Sequence, residues 1–487
     1  MKQILVFFIL FFSFNISANQ RVNVRDFGAV GDGITKDTKA FQEAITQGAK
    51  DKRIVYIPEG EYYIGPLKLF SNTSIELSDF AVIKGSADTI DYKCAVTGKK
   101  LALLNADGAN HIRISGHGIV EGNGGAPQFK TFNGDKRDHR PNLLAFNESS
   151  DIEIRDLTMR NSAAWMQHYY MCKGVRLFNL TVYNHVNMNN DGIDIDNCNE
   201  VLVSGCIVDS DDDAFCLKST DNEGICQNII LTNCILASNC NAIKLGTESL
   251  GGFKQIAISN VSVKKTTARS FWGRDHGLGG IVLDLVDGGE MDGVTISSIT
   301  MTGVVSPLFI RLGNRGRKVK NMKESLPAGV IRNIRISDVT AIVEPSTHCA
   351  VITGIPGHCI ENIQLSNIQF YYEGGGKLSE KIETRKIPEL EENYPEATMF
   401  GSALPVFGLF VRHVNGMQIN GVSIWVNKPD NRYSLLFDDA HYVQVNNLMV
   451  NSKTNEYFGI YTSRSQNCSF ENLMFIKNPK QEIINVK

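Results

Sequence analysis

Two acidic clusters lie about one short repeat apart in this chain: Asn189-Asn190-Asp191-Gly192, then Asp211-Asp212-Asp213. If the segment between them is one coil of a stacked β-structure, Asp191 comes over or beside Asp212 and Asp213. Carboxyls crowded in this way suit acid/base cleavage of a sugar linkage, where one protonates the departing oxygen and another activates water. Two carboxylates about 5 Å apart, at an effective dielectric near 20, repel by roughly 3 kcal/mol. That is about two pKa units, so one carboxyl keeps its proton near neutral pH beside ionised neighbours. The same acids also fit an Asn/Asp turn stack or a calcium site.

The elements that must position them repeat along the chain. An apolar-x-apolar phrase, a polar corner and a second apolar-x-apolar phrase start at Ile152, Val175, Val201, Ile229 and Ile256, in steps of 23, 26, 28 and 27 residues. Later copies start at Val294, Ile334, Ile363, Met417 and Val443. Period-2 alternation broken by Asn, Asp, Gly or Ser marks two short strands and a corner. Each coil exposes backbone edges that only stacked neighbours can pair. The expected fold is an all-β, right-handed, single-stranded parallel β-helix. Thr38 to Lys50 reads as an amphipathic helix capping its open end, with Asp37 or Thr38 as N-cap. Gly374 to Glu396 interrupts the repeat, as a solvated loop or a wall of a cleft.

Bulk properties restrict the class. A chain of 487 residues fits one long repeat domain. A net charge of −3 gives no support for a nucleic-acid or membrane-surface partner. Lys2, an apolar run from Ile4 to Phe14 and Ile16-Ser17-Ala18 form a secretory signal pattern, so residues 1–18 are expected to be removed and 19–487 to form one domain. No cysteine follows the cleavage point to carry a lipid, and no later stretch looks membrane-spanning; export to the periplasm or medium is expected. The 11 cysteines crowd apolar positions of the repeat and read as buried thiols rather than a disulfide framework. No CxxC pairing suggests zinc, and neither a metal nor an organic cofactor is expected.

Asp26-Phe27-Gly28-Ala29-Val30-Gly31-Asp32-Gly33 resembles the opening of pectin-active β-helix enzymes. Asn189 to Gly192, Asp212-Asp213 and Leu217-Lys218-Ser219 resemble the polygalacturonase motifs of glycoside hydrolase family 28. The resemblance implies that Asp212 is the general acid, that Asp191 and Asp213 hold and deprotonate the attacking water, and that the anomeric carbon is inverted. Trp165-Met166-Gln167-His168 is similar to a family segment ending in a histidine near the cleft, and Arg140-Pro141 is similar to an arginine of exo-acting members.

The chain also departs from that pattern. Cys240-Asn241-Ala242 stands where the family has Gly-His-Gly, and Val282-Leu283-Asp284 falls where its Arg-Ile-Lys grips a carboxylate. Substrate contacts are therefore expected from Arg140, His168, Lys218, Asn241, Lys244 and Arg311, with His276 a replacement for the lost histidine. The reading is an inverting, exo-acting hydrolase of α-linked pectic glycans, of polygalacturonan or rhamnogalacturonan type. A hydrolase of another acidic or sulfated glycan, a β-helix polysaccharide lyase and a non-catalytic glycan binder are the alternatives. Sequence leaves the oligomeric state undetermined.

Overall fold

The computed structural model describes residues 21–130, 140–319, 322–377, 387–401, 404–451, 459–476 and 483–486. The expected signal segment, residues 1–18, lies outside them, as do residues 378–386 of the Gly374–Glu396 interruption. The chain winds as a right-handed parallel β-helix: every strand-to-strand pairing among the described residues is parallel, and each strand pairs with its counterpart one coil away.

Three sheets run the length of the coil. The second contains Ile119–Glu121, Thr158–Arg160, Thr181–Asn184 and Ile207–Ser210. The third contains Gln167–Tyr170, Ile193–Asp196, Phe215–Ser219, Asn241–Ser249, Gly277–Leu285 and Val304–Leu312. In the first sheet every repeat start falls in one column: Ile152, Val175, Val201, Ile229, Ile256, Val294, Ile334, Ile363, Met417 and Val443 are consecutive register partners. All are buried, and each stacks on its own kind one strand spacing away. The polar residue at the corner between the first two sheets takes a left-handed conformation, as at Asn179, Asn233, Asn260 and Asn367, which Asn tolerates better than a bulky residue. Its amide then reaches the neighbouring coil, with Asn260 Nδ2 donating to Asn233 Oδ1 at 2.6 Å.

The capping helix spans Thr38–Asp51 and buries Ala40, Phe41, Ala44, Ile45 and Ala49 along one stripe. Asp37 sits at its N-cap position but does not cap it with its side chain. Its carboxylate instead accepts from Val30 N–H and Gly31 N–H in the preceding loop. All 11 cysteines are unpaired, and seven of them, including Cys172, Cys198, Cys206 and Cys226, are buried in the stack.

The excursions 86–103, 122–143, 265–276 and 375–405 all leave at one corner, between the second and third sheets. The outward face of the third sheet lies beside that corner. Farther along the stack it carries Val282, Phe309, Val351 and Phe410, covered by Ala397, Phe400 and Leu404 in a second apolar cluster. The excursion that begins after Gly374 is thus fastened to the third sheet.

Candidate active site

The two acidic clusters occupy this corner on consecutive coils. Gly192 N–H donates to Asp213 O at 2.9 Å, Asp212 N–H to Asn190 O at 3.2 Å, and Ala214 N–H to Asn241 O at 3.0 Å. Local chemistry fixes the turns. Asn190 Nδ2 donates to Ser162 O and Ala164 O, while the Ser210 and Ser238 hydroxyls both donate to Asp212 O. Gly192 has no room for a side chain: a Cβ there would lie 2.4 Å from Val208 Cγ1 and 2.5 Å from Ala214 O.

Just beyond the turns, outward side chains of the third sheet add two lysines and another acid. Lys218 Nζ is 3.1 Å from Asp194 Oδ1 and 3.7 Å from Asp191 Oδ2, and lies over the Trp165 ring at 4.9 Å. Lys244 Nζ and Asn241 Nδ2 both reach the Asp213 carboxylate, at 2.9 and 2.7 Å. Asp212 accepts from the Asp213 N–H at 3.0 Å. One oxygen each of Asp212 and Asp213 and the Cys240 sulfur lie within 4.8 Å of one another. As a cation site this set is poor, since the Lys244 ammonium already serves Asp213 and a thiol is a weak partner for a hard ion.

Four carboxyls facing two ammonium groups cannot all ionise out of water. Burial, reinforced by Asp194 and Asp212, pushes Asp191 well above the usual carboxylate range. Burial brings Asp194 to about 6 against the pull of Lys218. Asp212 is also raised, by burial and by Asp213. Asp213 moves the other way: burial is outweighed by Lys244, Lys218 and Asn241, which hold it below the usual value. Both lysines resist deprotonation: burial opposes their charge, but Cys216, Asp194 and Asp191 around Lys218, and Asp213 beside Lys244, raise them.

Asp191 and Asp213 are buried, whereas Asp212 faces a cleft of about 330 Å³. Trp272 and Arg274 of the 265–276 excursion form one wall, Tyr394 and Glu396 another, and Met188-Asn189 a lip. A larger depression of about 860 Å³ lies away from the acids, at the corner between the first and second sheets. Its Glu76 and Asp156 are engaged by Arg21 and Arg155, and it holds no comparable cluster of opposed carboxyls.

Residues 48–390 match the family model of glycosyl hydrolases family 28. The chain belongs to that family. As a member it is an O-glycosyl hydrolase, and the acids of its cleft lie inside the matched region, while the wall residues Tyr394 and Glu396 fall just beyond it. A probable polygalacturonase of Vitis vinifera is 27% identical over 378 residues, covering 72% of this chain and 74% of that protein. Among solved structures, an exopolygalacturonase of Thermotoga maritima superposes with a TM-score of 0.60 at 21% identity, over 73% of this chain and 87% of its own. The surface adhesin PfbA of Streptococcus pneumoniae shares the fold at a TM-score of 0.56 and 17% identity, over 92% of both chains.

Within this family 28 chain, the structure brings Asp191, Asp212, Asp213, Lys218, Asn241 and Lys244 together. His168 stands at the border, its Nε2 3.1 Å from Asp196 and its ring against the edge of Trp165. The two expected arginine ligands are placed differently. Arg140 is buried, donating to Ala163 O, Met188 O and Asn189 Oδ1, and so holds the lip. Arg311, 1% exposed, donates to Thr353 Oγ1, Gly354 O, Glu389 O and Leu390 O. It points outward from the sheet, but the 387–401 segment covers it, and it pins that segment instead of lining the cleft. His276 pairs with its neighbour Asp275, and Trp272 and Arg274 are the residues of that turn that reach the cleft. Asp284 is wholly buried, finds no hydrogen-bond partner for either oxygen among the described residues, and burial holds it well above the ordinary range.

Trp272, Arg274, Tyr394 and Glu396 were not singled out as ligands by sequence reasoning. The available signal was compositional: two breaks in a regular repeat, each carrying an aromatic next to charge.

Proposed function

We propose that this family 28 protein hydrolyses α-linked pectic glycans, of polygalacturonan or rhamnogalacturonan type, with inversion. In this reading Asp212 protonates the departing glycosidic oxygen. Asp213 takes the proton of the attacking water, which Asp191 helps to hold. The observation that carries it is the opposed pair at the cleft floor: Asp212 is raised and open to the cleft, and Asp213 is kept ionised by Lys244. That is an acid and a base in one site.

The nearest atoms of Asp212 and Asp213, within 4.8 Å, are closer than the roughly 6.5–9.5 Å usual between the carboxyls of inverting pairs. In this reading the water therefore sits between Asp213, which takes its proton, and Asp191, away from Asp212. Product stereochemistry is the critical measurement. Walls of 265–276 and 387–401 around the cleft favour action at a chain end over binding along an open groove. The apolar run at Ile4 to Phe14 supports export to the periplasm or medium.

A lyase needs a basic residue able to lose its proton, and Lys218 and Lys244 are both held charged, so neither serves as that base. That weighs against elimination. The test is incubation with homogalacturonan and rhamnogalacturonan fragments, followed by proton NMR of the first product anomer. Release of a β-configured reducing end supports the proposal. A retained anomer, an unsaturated uronide seen by ultraviolet absorbance, or no reducing sugar from any fragment would overturn it.

A further inference from the structure

We propose that Arg274 selects the acidic sugar in this cleft, its guanidinium gripping a hexuronate carboxylate beside Asp212 while Trp272 supports the ring; this rests on the hydrolase reading above. The other cations around the site are engaged by the protein. Lys218 serves Asp191 and Asp194, Lys244 serves Asp213, and Arg315 serves Asp287. Arg140 and Arg311 are bound to main-chain carbonyls. Arg274 lines the cleft with Asp212, its Nε is buried without a hydrogen-bond partner, and among the described residues no carboxylate lies within ion-pair distance of it, although its charge reaches Asp211. A partly desolvated guanidinium charge is stabilised when an anion arrives at its cleft-facing end, and its planar fork suits a carboxylate.

The turn carrying Arg274 is built to hold that direction. Thr267 donates through its N–H and hydroxyl to Asp209, and Phe271 N–H donates to Asp211. Within the turn, Ser270 N–H donates to Arg274 O at 2.7 Å, and Arg274 N–H to Ser270 Oγ at 2.9 Å. Asp209 and Asp211 thus anchor the loop from the same strand end that presents Asp212. Trp272, 58% exposed, lies edge-to-face on Phe271 with ring centroids 5.5 Å apart, offering an apolar face to a sugar. Glu396 on another wall repels a uronate, so the sugar's acid group turns towards Arg274.

The test compares wild type, Arg274→Gln and Arg274→Lys on oligogalacturonate and on the same oligomer with its carboxyls reduced to alcohols. Calorimetry measures binding of both oligomers, and of a sulfated galactan oligomer, to Asp212→Asn and to Asp212→Asn/Arg274→Gln. Circular dichroism melting checks that each variant folds. Arg274→Gln is expected to lose about 100-fold in kcat/KM on the acidic oligomer and little on the reduced one, with partial recovery in Arg274→Lys. Unchanged cleavage and binding of the acidic oligomer would overturn the assignment. So would equal losses on both oligomers, Arg274-dependent binding confined to the sulfated one, or failure of Asp212→Asn to bind any uronide. Arg274-dependent uronide binding without release of reducing sugar by wild type would sink the hydrolase reading and leave this grip standing.

Discussion

Lys244 Nζ lies 2.9 Å from a carboxylate oxygen of Asp213, reaching it from the next coil of the stack. This contact separates two acids that are adjacent in sequence: Asp213 is stabilised as a carboxylate, and Asp212, next door, is pushed towards its protonated form. The pair's division of labour depends on which neighbour the stack supplies to each.

Replacing Lys244 by Met removes that support. Asp213 is a depressed acid, ionised at any pH above its lowered value, so losing Lys244 moves its titration upward. The acidic limb of the kcat/KM profile should shift to higher pH by about one unit or more, with activity lost first at low pH. A pH–rate profile checks this. An unmoved acidic limb would show that Asp213 does not set it.

Asp212→Asn keeps the size of the side chain and removes the proton. Turnover should fall by about three orders of magnitude, within the range that general acid catalysis supplies, while KM changes little. Initial-rate kinetics with a glycan whose leaving group needs protonation is the measurement. Near-normal turnover would exclude Asp212 as the acid.

Phe400 packs edge-on against Phe410 in the second apolar cluster, with ring centroids 5.9 Å apart. Phe400→Ala should loosen the 387–401 segment without unfolding the stack, because the main core is separate. Proteolysis within that segment should accelerate, and KM should rise several-fold with a smaller change in kcat. Limited proteolysis with mass spectrometry, alongside kinetics, tests both parts.

Asp151 is a stability site remote from the cleft. Burial would raise its carboxyl, but hydrogen bonds from His111, Arg176 and Arg113 bring it down to about 2. A depressed acid stabilises the fold at pH values above its unfolded pKa, and that contribution disappears as pH falls towards 2. Asp151→Asn should therefore melt below wild type at pH 7, and the two curves should converge near pH 2. A constant gap across that range would contradict the linkage.

The architecture was legible because one pattern encodes each coil. Period-2 alternation with β-branched residues can be satisfied only if successive copies stack, and the column from Ile152 to Val443 is that stacking made physical. The acids were legible for the same reason, being one coil apart. The orientation of the cations was not. Arg311 is an outward residue by alternation, but the carbonyls of Glu389 and Leu390, 78 and 79 positions on, come to cover it. Lys218 and Lys244 read as substrate ligands until the carboxylates that occupy them are placed. Trp272 and Tyr394 stand in stretches without periodicity, where spacing carries no information about facing. Asp37 has the residue type and position of an N-cap, yet its carboxylate serves the loop at Val30 and Gly31.

Because the four excursions 86–103, 122–143, 265–276 and 375–405 depart from a single edge, the solenoid tolerates their rewriting. Hydrogen bonds between neighbouring rungs close whether 12 residues or 31 separate the flanking strands. A lineage built on this scaffold can therefore exchange its taste for one sugar over another by recombining fringe segments, while the rungs beneath go on templating each other unchanged.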